Sequence, residues 1–387
     1  MTFSQMWDEL QPIGRDPGTG GYRRYAWTPV DATLREWFTG AAEARGLEVV
    51  LDRAGNQWAW WGNPDETPGV VLGSHLDSVP DGGAFDGPLG VVSAFAALDG
   101  LPARPSTPIG IVNFADEEGA RFGVACTGSR LLTGALRPEA ALALRDGDGT
   151  ALGEVIGVGP EHVGRDEQTL RRIGAFVELH VEQGRALVDT GDAVGIGASI
   201  WPHGRWRVEL PGEANHAGTT ALADRRDPML ALAALVQQVR ASAQRHDALA
   251  TCGKVAVSPN AVNAVPSSVT AWVDARGADE ARVRAVLAEI EAAVVAAGGR
   301  LVEESWTGST PFTPSLSREL QAILGPVPVL PTGAGHDAGV LATAGVPSAM
   351  LFVRNPTGVS HSPAEHAEES DCLAGVAALT AVLAGLL

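Results

Sequence analysis

The chain has 387 residues, of which 45% are hydrophobic, and its formal net charge is −18. The hydrophobic content excludes a disordered chain, and the length predicts two or three domains. Because nucleic acids and anionic membranes bind basic surfaces, the negative charge argues against both partners.

Cysteine usage and the two ends of the sequence indicate a soluble protein of the cytoplasm. Cys126, Cys252 and Cys372 lie far apart and are odd in number, which argues against a disulfide framework and favours a reducing compartment. The N-terminus lacks the basic stretch and apolar core of a signal peptide. Residues 373–387 are apolar but too few to cross a bilayer easily, so they predict a buried terminal helix.

The first part of the chain predicts an α/β sheet. Residues 31–46 predict a helix with Asp31 as its N-cap, and residues 47–62 predict two strands around a turn. Residues 69–80 and 107–123 each predict a buried strand that ends in polar residues, with a glycine-rich loop and a helix between them. This order favours a sheet whose ligands bind beyond the strand ends.

The next region predicts a smaller α+β domain. Its elements follow the order strand, helix, strand, strand, helix, strand, which is ferredoxin-like. The helices are expected over residues 227–245 and 279–299. The α/β pattern then returns. We therefore predict a larger domain formed by residues 1–203 and 311–387, with a domain of residues 204–310 inserted into it.

Polar residues after the first buried strand are candidates for metal chemistry. His75 and Asp77, in GSHLDS, share one face of a strand, so Asp77 could orient His75 as a metal ligand. Asp86 follows in a glycine-rich loop, where a carboxylate could bridge two cations. Each signal is weak alone, because a chance surface pair or an ordinary turn aspartate gives the same pattern.

Three further clusters strengthen this interpretation. Residues 116–118 (DEE) end the second apolar strand, where adjacent charges repel one another unless a cation is present; a solvated acidic loop is the alternative. Glu178, His180 and Glu182 share one face of another strand, and His361 follows a later apolar stretch. Nitrogen and oxygen ligands without cysteine suit two ions of Zn, Mn, Co or Ni. The candidate ligands are His75, Asp86, Glu118, His180 and His361.

As a set, the motifs resemble those of one enzyme family. Between about residues 70 and 366 the chain contains, in order, GSHLDSVPDGGAFDGPLGV, NFADEEGARF, ELHVEQG, GEANHAGTT, PNAVNAVP, GAGHDAG and SHSPAE. The chain resembles the M20 metallopeptidase-like amidohydrolases, and most of all the branch with allantoate amidohydrolase, N-carbamoyl-L-amino acid hydrolase and β-ureidopropionase. The resemblance implies an α/β, mixed-sheet catalytic domain with an inserted lid and dimerisation domain.

The resemblance also assigns the metal ligands. One ion is bound by His75 and His180, the other by Glu118 and His361, and Asp86 bridges both. Two divalent ions per chain are therefore expected.

Three catalytic residues are implied beside the ligands. Glu117 is the general base that deprotonates the water between the ions, and Asp77 is the partner that orients His75. His216, in NHAGTT, matches a lid histidine that reaches the site of the partner subunit and stabilises the oxyanion, which implies a homodimer. Without the motif, His216 would be interpreted as a turn histidine.

Other residues are implied on the substrate side. Asn263 and Arg276 match residues that hold the substrate carboxylate, which an arginine fork suits. A surface ion pair is the alternative for Arg276. Gln183 matches a contact to the ureido group, and Gly358 is included with the substrate-binding residues.

The remaining histidines carry less information. His336, with Asp337, lies in GAGHDAG, and we expect both to support the site without a defined role. Structural or solvent-exposed positions are expected for His162, His203, His246 and His366.

We predict an amidohydrolase of a linear ureido acid that releases ammonia and CO2. Allantoate is favoured slightly over an N-carbamoyl-L-amino acid or a β-ureidopropionase-type substrate, because the tryptophan-rich chain with its WPHGRW segment is similar to sequences on that side. Two other hypotheses stay open. The chain could be an aminoacylase or dipeptidase of the same superfamily, or a binding protein that kept the fold without catalysis.

Overall fold

A computed structural model describes residues 1–103 and 105–387. This part of the chain forms two compact units: unit 1 contains Met1–Ser199 and Pro311–Leu387, and unit 2 contains Ile200–Thr310. Unit 2 is thus an insertion in the sequence of unit 1. The sequence had placed its first residue at 204, a few positions later.

The strands alternate with helices through much of the chain. In chain order they are β1 Glu48–Leu51, β2 Gln57–Trp61, β3 Gly69–His75, β4 Ile109–Phe114, β5 Ile173–Val181, β6 Val194–Ile200, β7 His203–Pro211, β8 Asn215–His216, β9 Leu249–Ser258, β10 Ala264–Val265, β11 Ser268–Arg276, β12 Arg300–Thr307, β13 Thr310–Pro311, β14 Val329–Thr332 and β15 Ser348–Val353.

The helices range from single turns to 18 residues. In chain order they are α1 Phe3–Leu10, α2 Pro29–Glu43, α3 Pro88–Asp99, α4 Thr127–Thr133, α5 Pro138–Leu142, α6 Leu152–Val155, α7 Glu167–Arg171, α8 Ala186–Thr190, α9 Pro228–Arg245, α10 Glu280–Ala296, α11 Pro314–Leu324, α12 Asp337–Thr343 and α13 Glu369–Leu386, with short 3-10 turns at Pro160–His162 and Leu222–Asp224.

Unit 1 is built on a mixed sheet, as predicted. Within the described residues the strand order is β1-β2-β4-β3-β5-β15-β6-β13, and β14 also pairs with β6. The central strands β4, β3, β5 and β15 run parallel, and β2 and β6 flank them in the antiparallel sense. β3, β4 and β15 are buried along their whole length, which explains their continuous apolar sequences.

Helix α2 begins two residues before the position predicted for it. Thr28, rather than Asp31, is its N-cap: the Thr28 side chain accepts the backbone N–H of Asp31. Pro29 occupies the first helical position, where its fixed φ and missing N–H cost nothing. Asp31 lies in the first turn and accepts the N–H of Trp27 instead.

The C-terminal helix α13 is longer than the helix that was predicted over residues 373–387. Its 18 residues have a mean hydropathy of 1.4, so by length and composition alone it could cross a membrane. Core helices pass the same test. Leu379, Val382 and Leu383 of α13 belong to the apolar core of unit 1, so the helix has a partner within its own unit.

Unit 2 is an antiparallel sheet with two helices. Within the described chain its strand order is β12-β7-β11-β9, and α9 and α10 supply the apolar residues that cover one face. The sequence order β7-α9-β9-β11-α10-β12 therefore gives the predicted ferredoxin-like arrangement. Unit 2 also contains a short antiparallel ribbon formed by β8 and β10.

Candidate metal centre

The candidate ligands come from the carboxyl ends of neighbouring parallel strands. His75 is the last residue of β3, His180 lies one residue before the end of β5, and residues 116–118 follow β4. His361 lies in the loop after β15. Because the carboxyl ends of parallel strands meet at one edge of a sheet, residues far apart in sequence converge there.

Asp86 lies at the centre of the site. Its Oδ1 is 3.4 Å from His75 Nε2 and 3.1 Å from His180 Nε2. Its Oδ2 is 3.5 Å from His361 Nε2, and that nitrogen is also 3.5 Å from Glu118 Oε2. Each oxygen of the carboxylate therefore faces a different group of candidate ligands.

Gly87 allows the loop to bring Asp86 against His75. Its φ is 86°, and a Cβ at this position would lie 2.5 Å from atoms of the His75 ring. Any side chain here would displace the ring, so this position requires glycine.

The arrangement fits metal cations. His75, Asp86 and His180 form one group and Asp86, Glu118 and His361 a second, and within each group the ligand atoms lie within 4.8 Å of one another. Among the described residues, His75 Nε2, His180 Nε2 and Glu118 Oε1 are buried and make no hydrogen bond. Because buried polar atoms without partners are costly, these atoms point to a ligand that both groups could hold around the shared carboxylate.

Asp77 orients a candidate ligand and the acidic loop without belonging to either ligand group. Its Oδ1 lies 3.4 Å from His75 Nδ1, and its backbone oxygen lies 3.2 Å from the same nitrogen, so Nδ1 carries the proton and Nε2 is free for a metal. Its carboxylate also accepts the backbone N–H groups of Glu117 at 3.2 Å and Glu118 at 3.1 Å. Asp77 therefore fixes the acidic loop as well as the histidine.

The loop after β4 is held in a bent conformation. Asp116 has a left-handed φ of 54°, which is uncommon for a residue other than glycine. Thr127 Oγ1 donates to Asp116 Oδ2 at 3.0 Å, and the backbone N–H of Cys126 donates to the Glu117 oxygen at 2.6 Å. The bend places the Glu117 Oε2 atom 3.8 Å from His75 Nε2.

Cys126 also touches the Glu117 side chain. Its thiol donates to Glu117 Oε1 at 3.3 Å. Burial raises the pKa of Cys126 well above its usual range, so the thiol stays protonated and acts as the donor.

The carboxyl groups in this site have strongly perturbed proton affinities. Burial raises the pKa of Glu117 well above its usual range, and the charges of Asp337 and Glu118 add to the effect. Burial and the nearby Asp86 raise the pKa of Glu118 to about 7. Burial acts the same way on Asp86, but His180 and the other histidines outweigh it and hold the Asp86 pKa well below its usual range. Closely placed acids of different proton affinity are typical of catalytic sites.

Gln183 and Gly358, both expected to contact the substrate, lie in unit 1. Gln183 Nε2 donates to Asp86 Oδ2 at 2.8 Å, while its Oε1 is buried without a hydrogen-bond partner among the described residues. Gly358 has a φ of 65°, and a Cβ there would lie 2.3 Å from Arg185 Cγ. Gln183 thus joins the metal-ligand cluster directly, and Gly358 packs against the loop that follows Gln183.

His216 and Asn263 are brought together within unit 2. β8 pairs with β10 so that His216 lies opposite Ala264, the residue after Asn263. The backbone N–H of Ala217 donates to the backbone carbonyl oxygen of Asn263 at 2.9 Å. Both side chains are exposed. The Gly218 N–H donates to His216 Nδ1 at 3.0 Å, which leaves the ring proton on Nε2.

Arg276 lies at the other end of β11 and makes an ion pair. Its Nε and Nη2 atoms donate to the two carboxylate oxygens of Asp274 at 2.7 and 2.6 Å. This is the surface ion pair named as the alternative for Arg276.

Several residues of the site had no role assigned from the sequence. Glu178 is buried and accepts Ser74 Oγ at 2.8 Å and the Ala338 N–H at 3.1 Å. His336 has a buried Nε2 without a hydrogen bond in the described structure, and its ring lies 4.5 Å from the His180 ring. Burial lowers the pKa of His336 well below its usual range, so its ring is neutral.

Two further residues complete the set that sequence analysis missed. Ser360 and Glu365 contact the Asp86 loop, and the SHSPAE motif that contains them was the available signal. Glu182, by contrast, accepts the N–H groups of Ala186 and Leu187 and so caps α8 instead of joining the ligands. The shared strand face of Glu178, His180 and Glu182 therefore contributes only His180 to the groups around Asp86.

The fold and this site define a metal-dependent amidohydrolase. Residues 71–385 match the family model of "Peptidase family M20/M25/M40", and the chain belongs to this family. The family predicted from the motifs is thereby confirmed.

Similar proteins cover almost the whole chain. It is 36% identical to N-carbamoyl-L-amino acid amidohydrolase of Geobacillus stearothermophilus, over 96% of this chain and 94% of that one. It is 33% identical to allantoate amidohydrolase of Escherichia coli K12, over 97% and 95%. A hydantoinase/carbamoylase family amidase of Burkholderia vietnamiensis has a similar crystal structure, with a TM-score of 0.89, 29% identity and coverage of 99% and 97%.

Proposed function

We propose that the chain hydrolyses the amide C–N bond of a linear ureido acid, with allantoate as the favoured substrate and ammonia and CO2 as products. The observation that carries the proposal is the meeting of two ligand groups at Asp86, with Glu117 beside them. Two divalent ions per chain, of Zn, Mn, Co or Ni, would be held by the two ligand groups that share Asp86, one ion in each group. When bound, they would supply Lewis acidity that polarises a carbonyl group and makes water more acidic.

Glu117 is the general base in this proposal. Its carboxylate is fixed through its backbone by Asp77 and Cys126 and lies 3.8 Å from His75 Nε2. A base of this kind takes a proton from water as water attacks the amide carbon and returns it to the leaving nitrogen. The role falls to Glu117 because the neighbouring Glu118 carboxylate lies instead beside His361, at 3.5 Å.

His216 stabilises the developing oxyanion. Since its Nδ1 accepts the Gly218 N–H, its exposed ring presents an N–H donor at Nε2. A donor placed at an oxyanion contributes roughly 3 kcal/mol to stabilisation of the transition state.

Asn263 and Arg276 would bind the substrate carboxylate. Asn263 precedes the strand that pairs with His216, and Arg276 ends β11. We propose that the chain forms a homodimer in which His216 completes the site of the partner subunit.

The surface of unit 2 is suited to such an association. Among the described strands, β9 is an edge strand, and its Leu249 and Val255 are exposed. On the neighbouring helix α9, Leu230 and Val236 are exposed as well. Exposed edges and apolar side chains of this kind are typical of subunit contacts.

N-carbamoyl-L-amino acids are the second candidate substrates, because a relative named N-carbamoyl-L-amino acid amidohydrolase is 36% identical to this chain. A β-ureidopropionase-type substrate uses the same carboxylate and ureido contacts. We place the enzyme in the cytoplasm, since Cys126, Cys252 and Cys372, all within the described chain, are free.

A turnover panel tests the proposal. Protein treated with a chelator and then loaded with Mn²⁺ or Zn²⁺ is assayed with allantoate, N-carbamoyl-L-amino acids, N-carbamoyl-β-alanine, ureidoglycolate and N-acetyl amino acids. From the metal-loaded protein we expect release of ammonia from a ureido acid, most rapidly from allantoate. Protein that is treated with the chelator but not reloaded with metal should show no turnover. Cleavage of N-acetyl amino acids alone would support an aminoacylase instead, and less than one bound ion per chain would support a binding protein.

A further inference from the structure

The segment that carries His361 is tied to the loop that carries Asp86 by a single buried carboxylate. Glu365 Oε1 accepts the backbone N–H groups of Phe85 and Asp86, both at 2.9 Å. Glu365 is only 5% exposed. These contacts join residues about 280 positions apart in the sequence.

A second contact leads from Glu365 to the side chain of Asp86. Ser360 Oγ lies 3.0 Å from Glu365 Oε2 and 3.2 Å from Asp86 Oδ2. The single proton of the Ser360 hydroxyl is donated to one of these two oxygens at a time. Because Ser360 precedes His361, the Glu365 carboxylate both fixes the backbone of Asp86 and holds the start of the His361 segment.

The loop is shaped to receive this carboxylate. A Cβ at Gly83 would lie 2.3 Å from Glu365 Oε1, so a side chain at position 83 would expel Glu365. The fit therefore requires glycine at position 83.

We propose that Glu365 is a positioning residue that holds Asp86 and the His361 segment in the geometry that binds cations. It belongs to neither ligand group around Asp86, and both of its oxygens accept hydrogen bonds from the chain. Partners that orient ligands typically change metal affinity by about 10–100-fold when they are removed. The inference rests on the metal centre of the proposed function.

Two substitutions separate the contacts. Glu365→Gln keeps an oxygen that can accept the two N–H groups, but its amide nitrogen cannot accept the Ser360 proton. Glu365→Ala removes all three hydrogen bonds. We expect the Mn²⁺ dissociation constant to rise about 10–100-fold in Glu365→Ala and by a smaller factor in Glu365→Gln.

Asp166→Asn is the matched control. Asp166 is buried and accepts three backbone N–H groups, of Arg53, Gln168 and Thr169, and one hydroxyl, of Thr169. Like Glu365, it is a buried carboxylate that accepts several hydrogen bonds, but it belongs to neither ligand group. We expect Asp166→Asn to lower the melting temperature of the metal-free protein as much as Glu365→Gln does, but to leave Mn²⁺ affinity unchanged.

Mn²⁺ binding is measured on the full-length chain by calorimetry and by the EPR signal of free Mn²⁺, without substrate. Normal affinity in both Glu365 variants, or equal weakening in Asp166→Asn, would overturn the inference while leaving the proposed function intact. A wild-type chain that binds none of Mn²⁺, Zn²⁺, Co²⁺ and Ni²⁺ in calorimetry would overturn both. If Glu365→Ala does not fold, Glu365→Gln decides the outcome.

Discussion

The carboxylate of Asp77 accepts the backbone N–H of Glu117 at 3.2 Å and lies 3.4 Å from His75 Nδ1. One side chain thereby fixes a candidate metal ligand and the proposed general base relative to each other. A shift of Asp77 would misplace both, so binding and catalysis are mechanically linked through this residue.

We predict that Asp77→Asn weakens metal binding and turnover together. The Glu117 and Glu118 N–H groups now bond to separate carboxylate oxygens, and the asparagine amide keeps only one of these acceptors. The amide also lacks the negative charge that makes His75 a stronger metal ligand. The loss of metal affinity should be about 10–100-fold, measured by competition with a chelator. Normal affinity with reduced turnover would limit the role of Asp77 to the acidic loop.

Glu117→Gln should separate catalysis from metal binding. The substitution preserves shape but removes the proton acceptor, so kcat should fall about 10²–10⁴-fold while metal content stays unchanged. The exposed Glu161→Gln serves as a control and should behave like wild type. Turnover near the wild-type rate in Glu117→Gln would remove Glu117 as the base.

A mixing experiment tests the shared site. His216→Ala and Glu117→Gln are each expected to have low activity, but chains exchanged at random should recover about a quarter of wild-type activity, because a mixed dimer has one intact site. The recovered fraction is measured after co-refolding or long incubation. Without recovery, His216 acts within its own chain or outside the site.

Arg276→Ala should raise KM for carboxylate substrates by about 10–100-fold with a smaller effect on kcat, because a charged fork to a carboxylate is lost. Arg282→Ala, which breaks the exposed ion pair with Asp247, is the control and should leave KM unchanged. If Arg276 serves only its ion pair with Asp274, Arg276→Ala and Asp274→Asn will lower stability equally and leave KM unaltered.

Stability should depend on pH through Asp52, which lies away from the metal ligands. Burial raises the pKa of Asp52 to about 6, against hydrogen bonds from Asn56 and Trp58 that lower it. The folded chain therefore keeps a proton that the unfolded chain loses at lower pH, so stability falls as pH rises toward 6. Between pH 4.5 and 7, the unfolding free energy of wild type should fall by about 2 kcal/mol relative to Asp52→Asn.

Urea denaturation of both proteins at each pH measures this difference, since other titrating groups are common to the pair. A gap that is constant, or that grows in favour of wild type with pH, would show that Asp52 is ionised at all these values.

Part of this architecture is predictable from sequence because it rests on local pattern. Apolar runs that end in polar residues place His75 and residues 116–118 at strand ends, and helical periodicity locates α9 and α10. The start of α2 was misplaced because Thr28 and Asp31 are both good capping residues, and only Pro29 decides between them.

The supporting contacts could not be predicted in the same way. Glu365 reaches Asp86 across most of the chain, and Cys126 reaches Glu117 through a left-handed turn at Asp116. Such contacts depend on tertiary placement of loops, which leaves no periodic signal. The ion pair of Arg276 with Asp274, two residues before it on β11, was foreseeable as an alternative because residues two apart on a strand share a face.

The position of β15 has a consequence for how the protein is made. This strand lies between β5 and β6 in the sheet, yet it is synthesised after the whole of unit 2. Until it emerges from the ribosome, β5 and β6 have an open gap between them and His361 is absent. Nascent chains therefore expose unpaired strand edges from the synthesis of β5 until β15 emerges, so we expect folding of unit 1 to be slow, post-translational and aided by chaperones.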